Sequence, residues 1–231
     1  MITGVINGKR TGGYPKAIEL PALCDIADLS VFGIGMANDG LGTDGREYDF
    51  PSGSVAADSF IYLSREQPEF EAYFGFAPTF FGSSFISGNG NDAYELYLED
   101  NVVDVFGDAN GASVAQGWDY ARGFAYRHSG FLPSGEWTMC EWDADHAGDL
   151  DAYLTNAEAT AAGVGFPVSS FEVNPGSSKT HCEPTPAPTS SEPTSVPTPA
   201  PTSLCLMITA VINGNRPGGY PKAIELHTLC D

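Results

Sequence analysis

Positive charge is scarce in this chain. Ten lysines and arginines stand against 30 aspartates and glutamates, a formal charge of −20. A nucleic-acid partner needs a basic face to neutralise phosphates, and none is visible. The same imbalance argues against adsorption to an anionic membrane. No apolar run reaches the roughly 18 residues of a membrane-spanning helix, so no insertion into a bilayer is expected from these residues. There is no Asn-x-Ser/Thr sequon. No signal peptide is visible either, but Met1 aligns with an internal methionine, so that absence carries no information. The catalytic signatures GxSxG, HExxH and the phosphate-binding loop are missing. So is any Cys or Cys/His spacing suited to zinc.

What the chain does have is a repeat. Met1–Asp25, MITGVINGKRTGGYPKAIELPALCD, returns as Met207–Asp231, MITAVINGNRPGGYPKAIELHTLCD, with 20 of 25 positions identical at an offset of 206. A copy this close indicates duplication of a whole unit. The organisation expected is one repeat (1–182), a linker (183–203) and the truncated start of a second repeat (204–231).

The linker, EPTPAPTSSEPTSVPTPAPTS, is Pro, Thr or Ser at 16 of 21 positions. Such a segment buries no core, and its prolines favour extended polyproline II; it is expected to be disordered, with a reach of about 65 Å. The composition also suits an O-glycosylated stalk, and an unmodified spacer fits it equally.

Five cysteines are present: Cys24, Cys140, Cys182, Cys205 and Cys230. Cys230 is the copy of Cys24, so a complete unit carries an even number, and disulfides in an oxidising, extracellular compartment are the expectation. Cys24–Cys140 is the expected pair inside the domain. Cys182 and Cys205 flank the linker and would close the ends of the unit, with each other or with cysteines of neighbouring units. Free buried thiols are the alternative.

Short β-rich runs separated by Gly/Asn/Asp turns predict an all-β domain. Strands are expected at 1–6, 17–23, 31–36, 47–50, 59–64, 124–127 and 136–142, with Asn7-Gly8 ending the first. Residues 92–106 read as a hairpin turning at Glu99-Asp100-Asn101. Pro68–Phe74 is the one short helix expected. Alternation of Ile18 and Leu20 with Ala17 and Glu19 predicts one buried face. Tyr94, Leu96, Val103 and Val105 are expected on a shared core face, with Leu29 plugging one end. Regular short strands without intervening helices favour a β-sandwich.

Several of these stretches together resemble the lamin tail domain, an immunoglobulin-like β-sandwich. They are KAIEL (Lys16–Leu20), DIADLSVFGIG (Asp25–Gly35), DSFIYLS (Asp58–Ser64) and NGNDAYELYLEDNVVDVFGD (Asn89–Asp108). A tryptophan-bearing late strand completes the pattern, which covers about residues 1–172. The resemblance implies binding or scaffolding with no catalytic residues to transfer. It is closest to the versions in secreted multidomain proteins. The chain lacks the coiled-coil rod of nuclear lamins, so a nuclear role is not implied.

Two acidic loops are the most functional-looking segments. Asp39, Asp44, Glu47 and Asp49 lie in or beside a glycine-rich loop; Asp143, Asp145, Asp149 and Asp151 lie in EWDADHAGDLDAY. Glycine-rich, oxygen-rich loops suit calcium, which takes six to eight hard ligands, although neither matches the EF-hand spacing. Asp39, Asp44, Asp143, Asp145 and Asp149 are the calcium candidates, weighed against a solvated acidic surface; no other cofactor is expected. His128 and His146 are the histidines available to the domain, and neither has a recognisable Ser or Cys partner. The dense run Phe70, Tyr73, Phe74, Phe76, Phe80, Phe81 reads as packing around the short helix, with an exposed sugar- or protein-binding row as the alternative. Trp118, in the polar string GWDY, is the candidate exposed ring, while Trp137 and Trp142 are expected to pack.

The function expected is a non-catalytic extracellular module for adhesion, surface coating or matrix assembly, acting by multivalency. Its partners would be neighbouring repeats of the same chain and extracellular glycans or matrix protein. The alternatives are an accessory module of a secreted nuclease or phosphatase, and a glycan- or calcium-binding module.

Overall fold

The computed structural model describes residues 1–82, 84–111 and 116–172, together with two strands at 206–213 and 222–228. It divides into two compact units, Met1–Pro184 and Thr185–Asp231.

The first unit is mainly β, and its two sheets are consistent with a β-sandwich. The larger has six strands: β1 (Gly4–Arg10), β2 (Tyr14–Pro21), β5 (Phe60–Ser64), β6 (Phe80–Phe81), β9 (Gly123–Arg127) and β10 (Trp142–Asp143), in the order β10-β9-β1-β2-β5-β6. The smaller has four: β3 (Phe32–Ala37), β4 (Tyr48–Asp49), β7 (Ala93–Leu98) and β8 (Asn101–Phe106), in the order β4-β3-β7-β8. The opening hairpin β1–β2 thus sits in the middle of its sheet, hydrogen-bonded to β9 on one side and β5 on the other.

Alternation along β1 and β2 sends side chains to both faces, and both faces are covered. Ile2, Val5, Ile18 and Leu20 join the core between the sheets, with Ile34, Leu63, Leu96 and Phe106. Ile6 and Ala17 point the other way, into a second apolar layer with Tyr62, Phe70, Phe124, Tyr126 and Phe166. That layer is roofed by two helices, α1 (Pro68–Phe74) and α2 (Asn156–Ala161). The sequence-based picture of a single buried face on β2 is therefore corrected: Glu19, expected outside, is 0% exposed. Helix α2 was also not anticipated. Its start carries a Thr-x-x-Glu signature: the Thr155 hydroxyl accepts from the Glu158 N–H at 3.2 Å, and the Glu158 carboxylate accepts from the Leu154 N–H.

Three other local expectations change. First, β1 continues through Asn7-Gly8, because the Asn7 side chain donates to the Gly88 carbonyl and accepts from the Arg122 N–H instead of forming a turn. Second, a register shift between Leu96 and Tyr97 places Asp104 opposite Leu96 and Val105 opposite Glu95. Asp104 therefore faces the core and Val105 leaves it, while Tyr94, Leu96 and Leu29 are core residues as expected and Val103 packs against them. Third, the segment expected as a strand at 136–142 is a 3-10 turn at Met139–Glu141, and only Trp142–Asp143 pairs with β9.

The inward Asp104 is matched across the sandwich. Arg127 of β9 donates to it at 2.7 Å, and the same guanidinium bonds Glu141, the carbonyls of Ile2, Leu132 and Val105, and lies 4.6 Å from the Trp142 ring centroid. Asp104 also accepts from the backbone N–H groups of Ile2 and Ser134. A buried charge pair is tolerated only when its remaining donors and acceptors are met, and here they are.

The second unit contains β11 (Leu206–Asn213) and β12 (Lys222–Thr228), which pair antiparallel as a two-stranded sheet.

Candidate functional site

The first acidic loop does not converge on a point. Asp39 accepts from the Asn91 side chain, and its N–H donates to Asp92. Asp44 accepts from the Asn38 amide at 3.2 Å, Glu47 from the Met36 N–H at 2.9 Å, and Asp49 pairs with Arg46 at 2.5 Å. Arg46 also donates to four backbone carbonyls, those of Ser30, Val31, Phe32 and Glu99, and so pins the loop to the end of the small sheet.

The second loop does converge, but on a histidine. His146 Nδ1 lies 2.9 Å from Asp149 and Nε2 lies 3.1 Å from Asp143. Its ring stacks on Phe124 with centroids 4.1 Å apart. Asp151 pairs loosely with Arg122 at 3.5 Å, and Asp145 is exposed. Among the described residues no group of three or more His, Cys, Asp or Glu side chains is placed to hold a metal ion. The carboxylates proposed for calcium are thus engaged with protein donors or dispersed. Thermal melting is accordingly expected to be the same in EDTA and in millimolar calcium; a calcium-dependent rise of several degrees would show that one of the loops takes the ion.

His146 borders a polar cleft of about 300 Å³ whose walls include Tyr126, His128, Ser129, Asp143 and Val164. Burial alone lowers the pKa of His146, but hydrogen bonds and charge from Asp149 and Asp143 outweigh it and leave the pKa raised. The folded state therefore holds this proton more tightly than the unfolded chain does. The stabilisation is fully present below the ordinary histidine pKa of about 6.5 and is lost as pH rises through the higher folded value. His146→Ala is expected to lower the melting temperature at pH 5.5 and to change it less at pH 8.5; an effect equal at both would contradict the assignment. The Ser129 hydroxyl accepts from the Glu172 N–H at 3.0 Å, a bond that ties down the chain after the cleft.

An apolar concavity lies elsewhere, at one end of the sandwich. About 210 Å³ opens there between the sheets, walled by Leu23, Ile26, Leu29, Phe32, Leu98 and Val103 among others, with Cys24 at its edge. Leu29, expected at one end of the sandwich, is buried in the core and lines this concavity.

Two site expectations are corrected outright. Trp118 is 0% exposed. It packs edge-on against Phe106 at 5.6 Å and lies near Trp137 at 5.9 Å, with its indole N–H donated to Gln116. A polar string around an aromatic suggested solvent, but that string folds back over a cluster centred on Phe106, which also meets Tyr120 and Trp142. Trp118 cannot stack on a glycan from there. The Cys24–Cys140 pair is not formed: Cys140 is a free, exposed thiol on the 3-10 turn. Cys24 is buried. Cys182, Cys205 and Cys230 lie outside the described residues. The aromatic run around α1 packs as expected at Phe70 and Tyr73, with Phe81 left exposed.

Comparison with protein-family profiles, with curated proteins and with solved structures gave no match.

Proposed function

We propose that this chain is a non-catalytic, lamin-tail-like module of an extracellular repeat protein, serving adhesion, surface coating or matrix assembly. The observation that carries this reading is the recurrence of the opening hairpin. Gly4↔Glu19, Val5↔Ile18, Ile6↔Ala17 and Asn7↔Lys16 pair in the first unit. At the 206-residue offset, Ala210↔Glu225, Val211↔Ile224, Ile212↔Ala223 and Asn213↔Lys222 pair in the second. The same element is thus presented twice along one chain, across a Pro/Thr/Ser-rich segment. Weak contacts made by beads on a common tether add through effective concentration. The strongly acidic composition suits a soluble, self-repelling coat.

Coupled to micrometre-sized particles, the chain is expected to hold them to a surface coated with extracellular polysaccharide or matrix protein, with a sharp threshold in coupling density. No retention on any such surface at any coupling density would contradict the adhesive reading.

A further inference from the structure

The pairing of β1 with β2 sets Asn7 directly opposite Lys16. Both are buried: Asn7 is 3% exposed and Lys16 is 8% exposed. A lysine this deep ordinarily has a carboxylate to pair with. Lys16 forms no ion pair among the described residues, and its Nζ donates instead to the neutral Ser87 carbonyl at 2.7 Å. Its neighbour on the other side is a second cation: the Arg65 N–H bonds the Lys16 carbonyl at 3.0 Å. Independently of the adhesive reading, we propose that the amine of Lys16 and the carboxamide of Asn7 condense into an isopeptide bond between β1 and β2, with loss of ammonia.

The surroundings activate both partners. Burial lowers the pKa of Lys16 and the Arg65 charge lowers it further, while the charges of Asp92 and Glu66 offset this only in part. More of the amine is therefore neutral, and so nucleophilic, than in an exposed lysine; desolvation beside a second cation is a general way to make a lysine nucleophile. The electrophile is held in place. Asn7 Oδ1 accepts from the Arg122 N–H at 2.9 Å, and Nδ2 donates to the Gly88 carbonyl at 2.9 Å. The first bond polarises the amide and meets the oxygen on which negative charge gathers as the amine adds. The second orients the departing nitrogen.

Gly13 leaves open the space that the two side chains share. A Cβ there would lie 2.6 Å from Asn7 Nδ2, 3.3 Å from its Cγ and 3.1 Å from Lys16 Cε. Both side chains border that one point, so rotation about the terminal bonds of the lysine carries Nζ from the Ser87 carbonyl toward Cγ. Atoms balance within the pair. The Nζ–Cγ bond forms, the Cγ–Nδ2 bond breaks, and one proton of the amine leaves with Nδ2 as ammonia. Nothing is oxidised or reduced. The competing reaction at an Asn-Gly sequence is attack by the glycine nitrogen to close a succinimide. Here the Gly8 N–H is engaged by the Gly13 carbonyl at 2.9 Å. The bond would fix the register of the hairpin, because strands tied at one pair cannot slip past each other.

The test is peptide mapping of the unaltered full chain by mass spectrometry. The chain is incubated folded at about pH 9, which favours the neutral amine, then reduced, unfolded and digested with trypsin. Cleavage after lysine and arginine gives 1–9, 11–16 and 17–46 from an unlinked chain. The expected result is one branched peptide, 1–9 joined to 11–46, lighter by one ammonia than the two together, with fragment ions placing the link at Asn7 and Lys16. Lys16→Met keeps the buried stem without the amine. It should keep the near-ultraviolet circular dichroism of the fold and yield 1–9 only as a linear peptide. Linear 1–9, 11–16 and 17–46 from the unaltered chain, with no branched product, overturn the inference. Loss of ammonia confined to 1–9, which marks the succinimide, overturns it as well.

Discussion

Arg127→Met is expected to cost about 3–5 kcal/mol, enough to unfold most marginally stable domains. The guanidinium is 1% exposed and is the sole cation among the described residues within bonding reach of the fully buried Asp104. Methionine fills similar volume but leaves that carboxylate charged in the core, removes a partner of Glu141 and strips three carbonyls of a donor. Arg127→Lys is expected to fall only slightly short of this loss, because one ammonium cannot reproduce a planar fork that reaches six groups. The paired change Arg127→Met with Asp104→Leu should recover a large part of the stability. Chemical denaturation of the three variants reads all of this. A loss under about 1 kcal/mol for Arg127→Met would mean that the pair is not buried as described.

The second large effect is expected at Glu19. All four acceptor positions of its carboxylate are used: Thr3 and Tyr126 hydroxyls on one oxygen, at 2.8 and 2.6 Å, and the Tyr62 hydroxyl and Ser169 N–H on the other, at 2.6 and 2.8 Å. Burial first, and then the charge of Glu19, push the pKa of both tyrosines upward, so they remain donors at any physiological pH. Glu19→Gln replaces one acceptor with an amide that can only donate. Turned toward the Thr3 and Tyr126 hydroxyls, that amide spares the Ser169 N–H, but the Tyr126 hydroxyl already accepts from the Ser170 and Phe171 N–H groups and loses the acceptor of its own proton. The cost expected is about 2–4 kcal/mol, from an unsatisfied buried donor and the loss of charge-assisted bonds. Glu225→Gln, the same change in the copy, should leave the stability of the first unit unaltered. Equal effects from the two substitutions would mean that the wrong hairpin has been placed between β9 and β5.

These two residues also mark where the sequence was legible and where it was not. Local sequence pattern located the 92–106 hairpin, the β5 and β9 segments and helix α1, because each is decided by residues close together in the chain. Glu19 was assigned to solvent because alternation distinguishes two faces of a strand but not what lies over each. The cover on the second face comes from residues 68–76 and 156–171, far away in sequence. Asp104 was misplaced for a different reason. One extra residue in β8 reverses the facing of everything after it, and nothing in NVVDVF marks the bulge. Trp118 shows the converse error: polar neighbours on either side of it satisfy backbone and indole groups at a lid instead of reaching water.

The acidic loops illustrate a third limit. Composition alone suggested oxygen ligands around a cation, and the oxygens are indeed arranged for donors. The donors are Asn38, Asn91, Arg46, His146 and backbone N–H groups, residues that no spacing rule connects to the carboxylates. The cleft at His146 and the apolar opening beside Leu29 were equally invisible, since each is walled by segments that meet only after folding.

Native-state hydrogen exchange tests the central claim most directly: the opening hairpin is the middle of the six-stranded sheet, covered on both faces. Amides at residues 4–7 and 17–20 are expected to exchange only with global unfolding, together with those of Ala125 and Leu63. Exchange of 4–7 and 17–20 through local opening, well ahead of Ala125 and Leu63, would contradict it.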